Sequence, residues 1–287
     1  MSTQPRSAVL DRLTAVAGWL ATSAIVAAFG WLVFDIVRHG ASEVSRTFLT
    51  DEPADAGRAG GIGTVLVSTL LILGVCLAIA VPLGVGTAVW LSEFARPRSR
   101  RVTAIRWSLD LLASVPSIVF GLFGMVVFCQ MLRLGFSIAA GGLTLGCMIL
   151  PLVVQTTYAG LQSVPNELRA GAAALAISRA STLRHLLLPA ALHGVVVGVM
   201  LGLGRAAAET AALIFTSGYV TRMPESLLDS GRTASVHIYD LAMNVPRGEA
   251  RAYATAAVLL LTLLLINVAA TVLADRWLQR QTARSFR

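Results

Sequence analysis

The chain has 287 residues, of which 56% are hydrophobic and only 13% charged, with a mean hydropathy of +0.74. That composition excludes an ordinary water-soluble domain and points to an all-α polytopic membrane protein. The net charge of +8 comes from arginine alone, because no lysine is present; without lysine there is no P-loop, so nucleotide is not bound by that route. H-E-x-x-H and G-x-S-x-G are absent too, which removes the zinc-protease and serine-hydrolase readings. The histidines (His39, His185, His193, His237) are scattered and the cysteines (Cys76, Cys129, Cys147) sit singly in apolar runs. Neither a metal site nor a disulfide is expected from them.

Arg6 and Arg12 precede an apolar run from Leu13 to about Phe34. The run is too long for the apolar region of a cleaved signal peptide, so it reads as a retained first span. Six spans are expected, at roughly 13–37, 62–92, 107–132, 137–162, 188–217 and 251–274. Pro82, Pro116 and Pro151 fall in the second, third and fourth and are expected to bend them; neighbouring helices satisfy the freed backbone groups. The connection 38–61 is acidic, rich in Gly, Ala and Asp; it reads as a solvated link, with contact to an external partner as the alternative.

The connection Val164–Leu187 is different. Pro165 and Asn166 suit a helix start, Glu167 its first turn, and the alanines its interior. Ser178 and Ser181 suit a break and restart. Two short helices lying along the membrane surface are expected, forming a docking surface, since a plain connector rarely needs so long a helix-prone stretch. Fourteen arginines lie in the termini and in the connections after spans two and four, against eight in the other connections, where they mix with acidic residues. Membrane orientation explains this better than nucleic acid does: both termini are expected in the cytoplasm and the loop 218–250 outside.

Span five, Leu188–Ser217, carries Arg205 and Glu209 deep in an apolar run. Ionisable groups there are costly and by default functional. A continuous helix places the two on one face. Beside them runs a stripe of small residues, Gly194, Gly198 and Gly202, continued by Ala206, which admits a neighbouring helix. Arg205 and Glu209 are candidate substrate-path residues; a structural Arg–Glu clamp between helices is the alternative.

Span five resembles that of the PstA-type permease subunit of bacterial phosphate-specific ABC importers, over Gly204-Arg205-Ala206-Ala207-Ala208-Glu209-Thr210-Ala211. Val81–Gly86 leading to Leu91-Ser92-Glu93-Phe94, Ser114–Gly124 and His237–Ala242 carry the same resemblance, which extends over roughly 60–275. It implies a type I (MetI-like) importer fold: residues 1–59 as N-terminal tail, first span and external loop, 60–275 as the transmembrane domain, and 276–287 as a C-terminal tail. It adds Thr210 to the substrate path. It implies a PstC-type sister permease, two PstB-type ATP-binding subunits holding ATP and magnesium, and a PstS-type external phosphate-binding protein. This chain, not itself an enzyme and without a cofactor, would form half of an alternating-access path for inorganic phosphate in the bacterial plasma membrane. The segment before span five matches the EAA loop of importer permeases in position and in its Leu188-Pro189 ending, making Glu167, Ala170, Gly171, Ala172, Ala176, Leu188 and Pro189 its docking residues. It departs in two places: the usual Glu-Ala-Ala falls on Ala170-Gly171-Ala172, and the usual glycine on Ala176. The motif's glutamate is therefore absent unless Glu167, one turn earlier, replaces it. A permease for sulfate or molybdate, and a standalone secondary transporter or channel, are the other readings. Arg205 with Glu209 favours phosphate, because hydrogen phosphate keeps a proton to donate to a carboxylate and sulfate near neutral pH does not.

Overall fold

Long apolar runs cannot leave backbone polar groups unpaired in lipid, so they fold as helices. The computed structural model describes residues 5–96 and 99–285, with side chains for 11–96 and 99–276. The side chains of Arg6, Arg98, Arg280, Arg284 and Arg287, counted above toward orientation, lie outside the described ones. In chain order, α1 (Pro5–Gly40) is followed by α2 (Arg46–Thr50), whose N-cap Ser45 accepts from the Phe48 N–H. A hairpin pairs β1 (Pro53–Ala54) with β2 (Ala59–Gly60). α3 (Gly63–Val89) runs through Pro82 unbroken and closes in a π turn, Trp90–Phe94.

The expected third span is two helices, not one bent helix. α4 (Arg100–Ser114) meets α5 (Ser117–Gly124), extended by the π turn Met125–Met131, at 104°. Pro116 is the cause: its ring forces Val115 into an extended conformation (φ −68°, ψ 129°), which ends the helix before it. α6 (Ile138–Gln162) starts on Ser137, which accepts from the Ala140 N–H, and continues through Pro151. α7 (Asn166–Ala174) and α8 (Arg179–Thr182) follow, with Ser178 capping α8. The π turn Leu183–Leu187 leads directly into α9 (Leu188–Ala207). α10 (Ala211–Ile214), α11 (Ala234–Met243) and α12 (Glu249–Ser285) complete the chain. Among the described residues five helices are long and apolar enough to cross a bilayer, and the bent pair α4–α5 makes six.

α6 is the centre of the bundle. In lipid, close backbone approach rather than apolar burial drives helix association, and glycines supply it on both sides of α6. Toward α3, a Cβ at Gly142 would lie 2.6 Å from Val75. Toward α9, a Cβ at Gly194 would lie 2.7 Å from the Gly160 Cα, and one at Gly202 3.1 Å from Ile149. Ile72, Cys76, Leu145, Ile149, Val153 and Leu213 fill the space between. By contrast α1 is exposed over nearly its whole length and packs along α12.

The connection 38–61 is not a solvated link. Phe48 is only 1% exposed and packs with Ile62, Val65, Ala234 and Ala254. Arg251 donates to the Gly60 carbonyl at 3.0 Å and pairs with Glu43 at 3.3 Å. The Gly, Ala and Asp content serves a tight turn instead: Asp55, Ala56 and Gly57 all have positive φ, and a Cβ on Gly57 would lie 2.8 Å from the His237 ring.

Candidate functional site

Span five does not continue to Ser217 as one helix; α9 stops at Ala207. Ala208 and Glu209 fold into a turn, their N–H groups donating to Gly204 O at 3.3 Å and Ala206 O at 3.2 Å. Thr210 (φ −115°, ψ −50°) opens the short α10. Two bonds secure the break: the Glu209 carboxylate accepts from the Ala212 N–H at 3.4 Å, and the Ser235 hydroxyl of α11 donates to the Glu209 carbonyl at 2.7 Å. α11 is itself anchored to α3, since the Ala234 N–H donates to Thr69 Oγ1 at 2.9 Å. Below α10, Gly121 of α5 comes so close that a Cβ there would lie 2.9 Å from the Ala212 Cα.

The break changes the relation of the two charges. Arg205 and Glu209 do not share one helix face, and Arg205 makes no ion pair among the described residues. Arg205 is exposed, on the face of α9 that also presents Leu201 and Ala208. Glu209 and Thr210 are half-buried beside it. Gly194, Gly198 and Gly202 lie beside it, packed against α6. A guanidinium projecting from an apolar span faces another protein surface or water rather than hydrocarbon. The chain therefore presents a positive charge without an ion pair among the described residues, beside a half-buried carboxylate.

The segment Val164–Leu187 forms two short helices, and its geometry sets which of its residues are exposed. Leu175 is 75% exposed at the corner between α7 and α8, and Leu168 and Ile177 are exposed as well. Glu167, Ala170, Gly171 and Ala176 are exposed, whereas Ala172 is buried against the bundle and Leu188 and Pro189 are half-buried. Ala176 has φ +54°. Arg169 roots the segment. Its guanidinium grips Glu93 at the end of α3 through Nη2–Oε1 at 2.8 Å and Nε–Oε2 at 3.3 Å. It also donates to the Leu161 and Val164 carbonyls, each at 2.9 Å, where the α6 C-terminus leaves carbonyls free. The bond to Glu93 raises the Arg169 pKa above its ordinary value. Residue spacing alone does not reveal this pair, since 76 positions separate its members.

Residues 80–282 match the family described as binding-protein-dependent transport system inner membrane component. The chain is 32% identical over 285 residues to the probable ABC transporter permease protein YqgI of Bacillus subtilis, covering 94% of this chain and 95% of that protein. It is 32% identical over 250 residues to the phosphate transport system permease protein PstA 1 of Mycobacterium tuberculosis, covering 85% of this chain and 81% of that one. A solved bacterial ABC transporter involved in the import of the acidic polysaccharide alginate superposes with a TM-score of 0.60 at 12% identity, over 92% of this chain and 99% of that chain. At that identity the superposition speaks to the fold alone.

Proposed function

We propose that this chain, which belongs to the family of binding-protein-dependent transport system inner membrane components, is the permease subunit of an ATP-driven importer of inorganic phosphate. Subunits of this family are transport permeases that work with an ATPase and a substrate-binding protein, and ATP hydrolysis lies in separate subunits. The observation that carries the phosphate reading is Arg205, exposed and without an ion pair among the described residues, on an apolar span with Glu209 next to it. The names of the PstA relatives support the same substrate.

In this reading a PstC-type sister permease covers the Arg205 face and the path runs between the two permeases. PstB-type subunits carry ATP and magnesium and engage α7 and α8; a PstS-type protein delivers phosphate from outside. Both termini lie in the cytoplasm. The planar guanidinium of Arg205 donates two parallel hydrogen bonds to phosphate oxygens, a geometry that lysine lacks. Glu209, held by Ser235, accepts a hydrogen bond from the O–H that hydrogen phosphate retains, so the pair prefers phosphate to sulfate.

Phosphate uptake and co-purified ATPase subunit, measured in the same cells, test this. Arg205→Gln is expected to abolish uptake, and Arg205→Lys to retain a small part, with the complex intact in both. Glu209→Gln is expected to be milder and to let sulfate inhibit uptake. Loss of the complex in Arg205→Gln, with assembly and uptake restored by swapping the two residues, would make the pair a structural clamp. Uptake of sulfate or molybdate in place of phosphate would assign the other oxyanion.

A further inference from the structure

Arg205 is not the only charged group presented on the faces of the spans. α6 and α9 run antiparallel, with Gly202 facing Ile149 and Gly194 facing Gly160. From the level of Arg205 toward the docking segment, α6 presents Gln155, exposed, then Tyr158, half-buried, and Gln162, exposed. Against them lies α4. Its Arg106 donates from Nη2 to the Tyr158 hydroxyl at 2.7 Å, and its guanidinium carbon sits 5.0 Å from the ring centroid. Arg106, Asp110, Gln155 and Tyr158 line a cleft of about 210 Å³. A second cleft, of about 440 Å³, shares Arg106 and Tyr158 and is walled by Arg96 and Gln162.

Several features mark these clefts as a site rather than a lipid-facing groove. A guanidinium, a carboxylate and an amide, all exposed, converge with a half-buried phenol over Leu91, Leu109 and Val154 at the start of the third span. Arg106 makes no ion pair among the described residues, not even with Asp110 four positions on. Its remaining N–H donors are therefore available. The spacing also repeats: Arg106 and Asp110 on α4 echo Arg205 and Glu209 at the end of α9, an arginine followed four residues later by a carboxylate. Along α6 the two places are separated by about 18 Å at the helical rise, too far for one anion to touch both.

We propose that the Arg106–Tyr158 cleft is a second oxyanion station, on the docking-segment side of Arg205, which holds inorganic phosphate on its way out of the membrane. The proposal rests on the phosphate reading of the preceding section. Arg106 supplies charged donors, the Gln155 amide adds a neutral one, and the Tyr158 hydroxyl bridges to Arg106. Asp110 accepts a hydrogen bond from the phosphate O–H, the part Glu209 plays at the first station, and Arg96 adds positive potential at the mouth. A phospholipid headgroup offers similar oxygens, but a phosphodiester has no proton to give Asp110, so the carboxylate repels it. That chemistry favours free phosphate over lipid.

The test uses the assembled importer without its external binding protein, free of nucleotide, in discs of zwitterionic lipid alone and of the same lipid with added phosphatidylglycerol. Equilibrium binding of radiolabelled inorganic phosphate is measured for the wild type, for Arg205→Gln, and for Arg205→Gln combined with Arg106→Gln or with Tyr158→Phe. Saturable binding should persist in Arg205→Gln, which removes the first station; in that background it should weaken at least about tenfold on adding Arg106→Gln and several-fold on adding Tyr158→Phe, and be indifferent to phosphatidylglycerol. Tyr158→Phe keeps the ring packing and so keeps the test decisive if Arg106→Gln does not assemble. Binding unchanged in both variants overturns the station, and the uptake phenotype of Arg205→Gln then stands alone. Binding displaced by phosphatidylglycerol assigns the cleft to a lipid headgroup and overturns it as well. A wild type that binds sulfate or molybdate but no phosphate overturns the phosphate reading and the station with it.

Discussion

Ala176 takes a φ of +54°, in the left-handed region where a Cβ costs about 1–2 kcal/mol and glycine is at ease. The EAA loops that this segment resembles have glycine at that position. Ala176→Gly is therefore expected to stabilise the α7–α8 corner by a net of roughly 0.5–1 kcal/mol, after the greater freedom of glycine in the unfolded chain is subtracted. Slower amide exchange across 171–178 in the variant is the check; faster exchange would show that the left-handed turn carries no strain. Residue types make Ser178 legible as a helix start, because its hydroxyl caps α8 locally. The strained alanine is not legible, since alanine is the best helix former and nothing in its own neighbourhood predicts a left-handed turn. The same limit applies to Arg205 and Glu209. Their presence in an apolar run is plain from the sequence, but the end of α9 between them is not. No glycine or proline marks it, and Ser235, which secures it, lies 26 residues further on.

At the scale of single elements, α11 carries a buried titratable group. His237 is 1% exposed; burial, with the nearby Arg232 guanidinium, lowers its pKa to about 4, while Asp240 opposes the shift. Arg232 ties the cluster together, donating to Asp240 at 3.0 Å and approaching His237 Nδ1 at 3.4 Å. The unfolded chain takes up this proton near pH 6.5, the folded one only near 4. The contribution is thus complete above pH 6.5 and is lost as pH falls from 6.5 toward 4. Thermal unfolding of the purified complex should lose roughly 3 kcal/mol over that interval through this group alone, and His237→Gln should flatten the slope. Identical pH profiles for the two proteins would sink this account. The His237–Ala242 stretch stands out in the sequence by resemblance, but its contact with the turn at Gly57 does not. A polar, glycine-containing connection looks the same whether it is solvated or folded against a neighbour.

For the whole molecule, the spans are legible because twenty-residue apolar runs have few alternatives in lipid; the sharp turn between α4 and α5 is under-read, because prolines of the same appearance at positions 82 and 151 leave their helices unbroken. Orientation follows from arginine placement and is open to a direct check. Leu228, 59% exposed in the loop before α11, should be labelled as Leu228→Cys by an impermeant thiol reagent in intact cells, in a background without Cys76, Cys129 and Cys147. Labelling only after lysis would invert the topology. The interruption between α9 and α10 also has a mechanical meaning. From Arg179 to Ala207 the backbone is one uninterrupted helical rod, which starts in the segment proposed above to engage an ATPase. Beyond it, Glu209 is fastened by Ser235 to α11 and through Thr69 to α3. On that proposal, rotation applied at α8 is carried along the rod to Arg205, whereas Glu209, past the helix end, is tied to α11 and α3 instead.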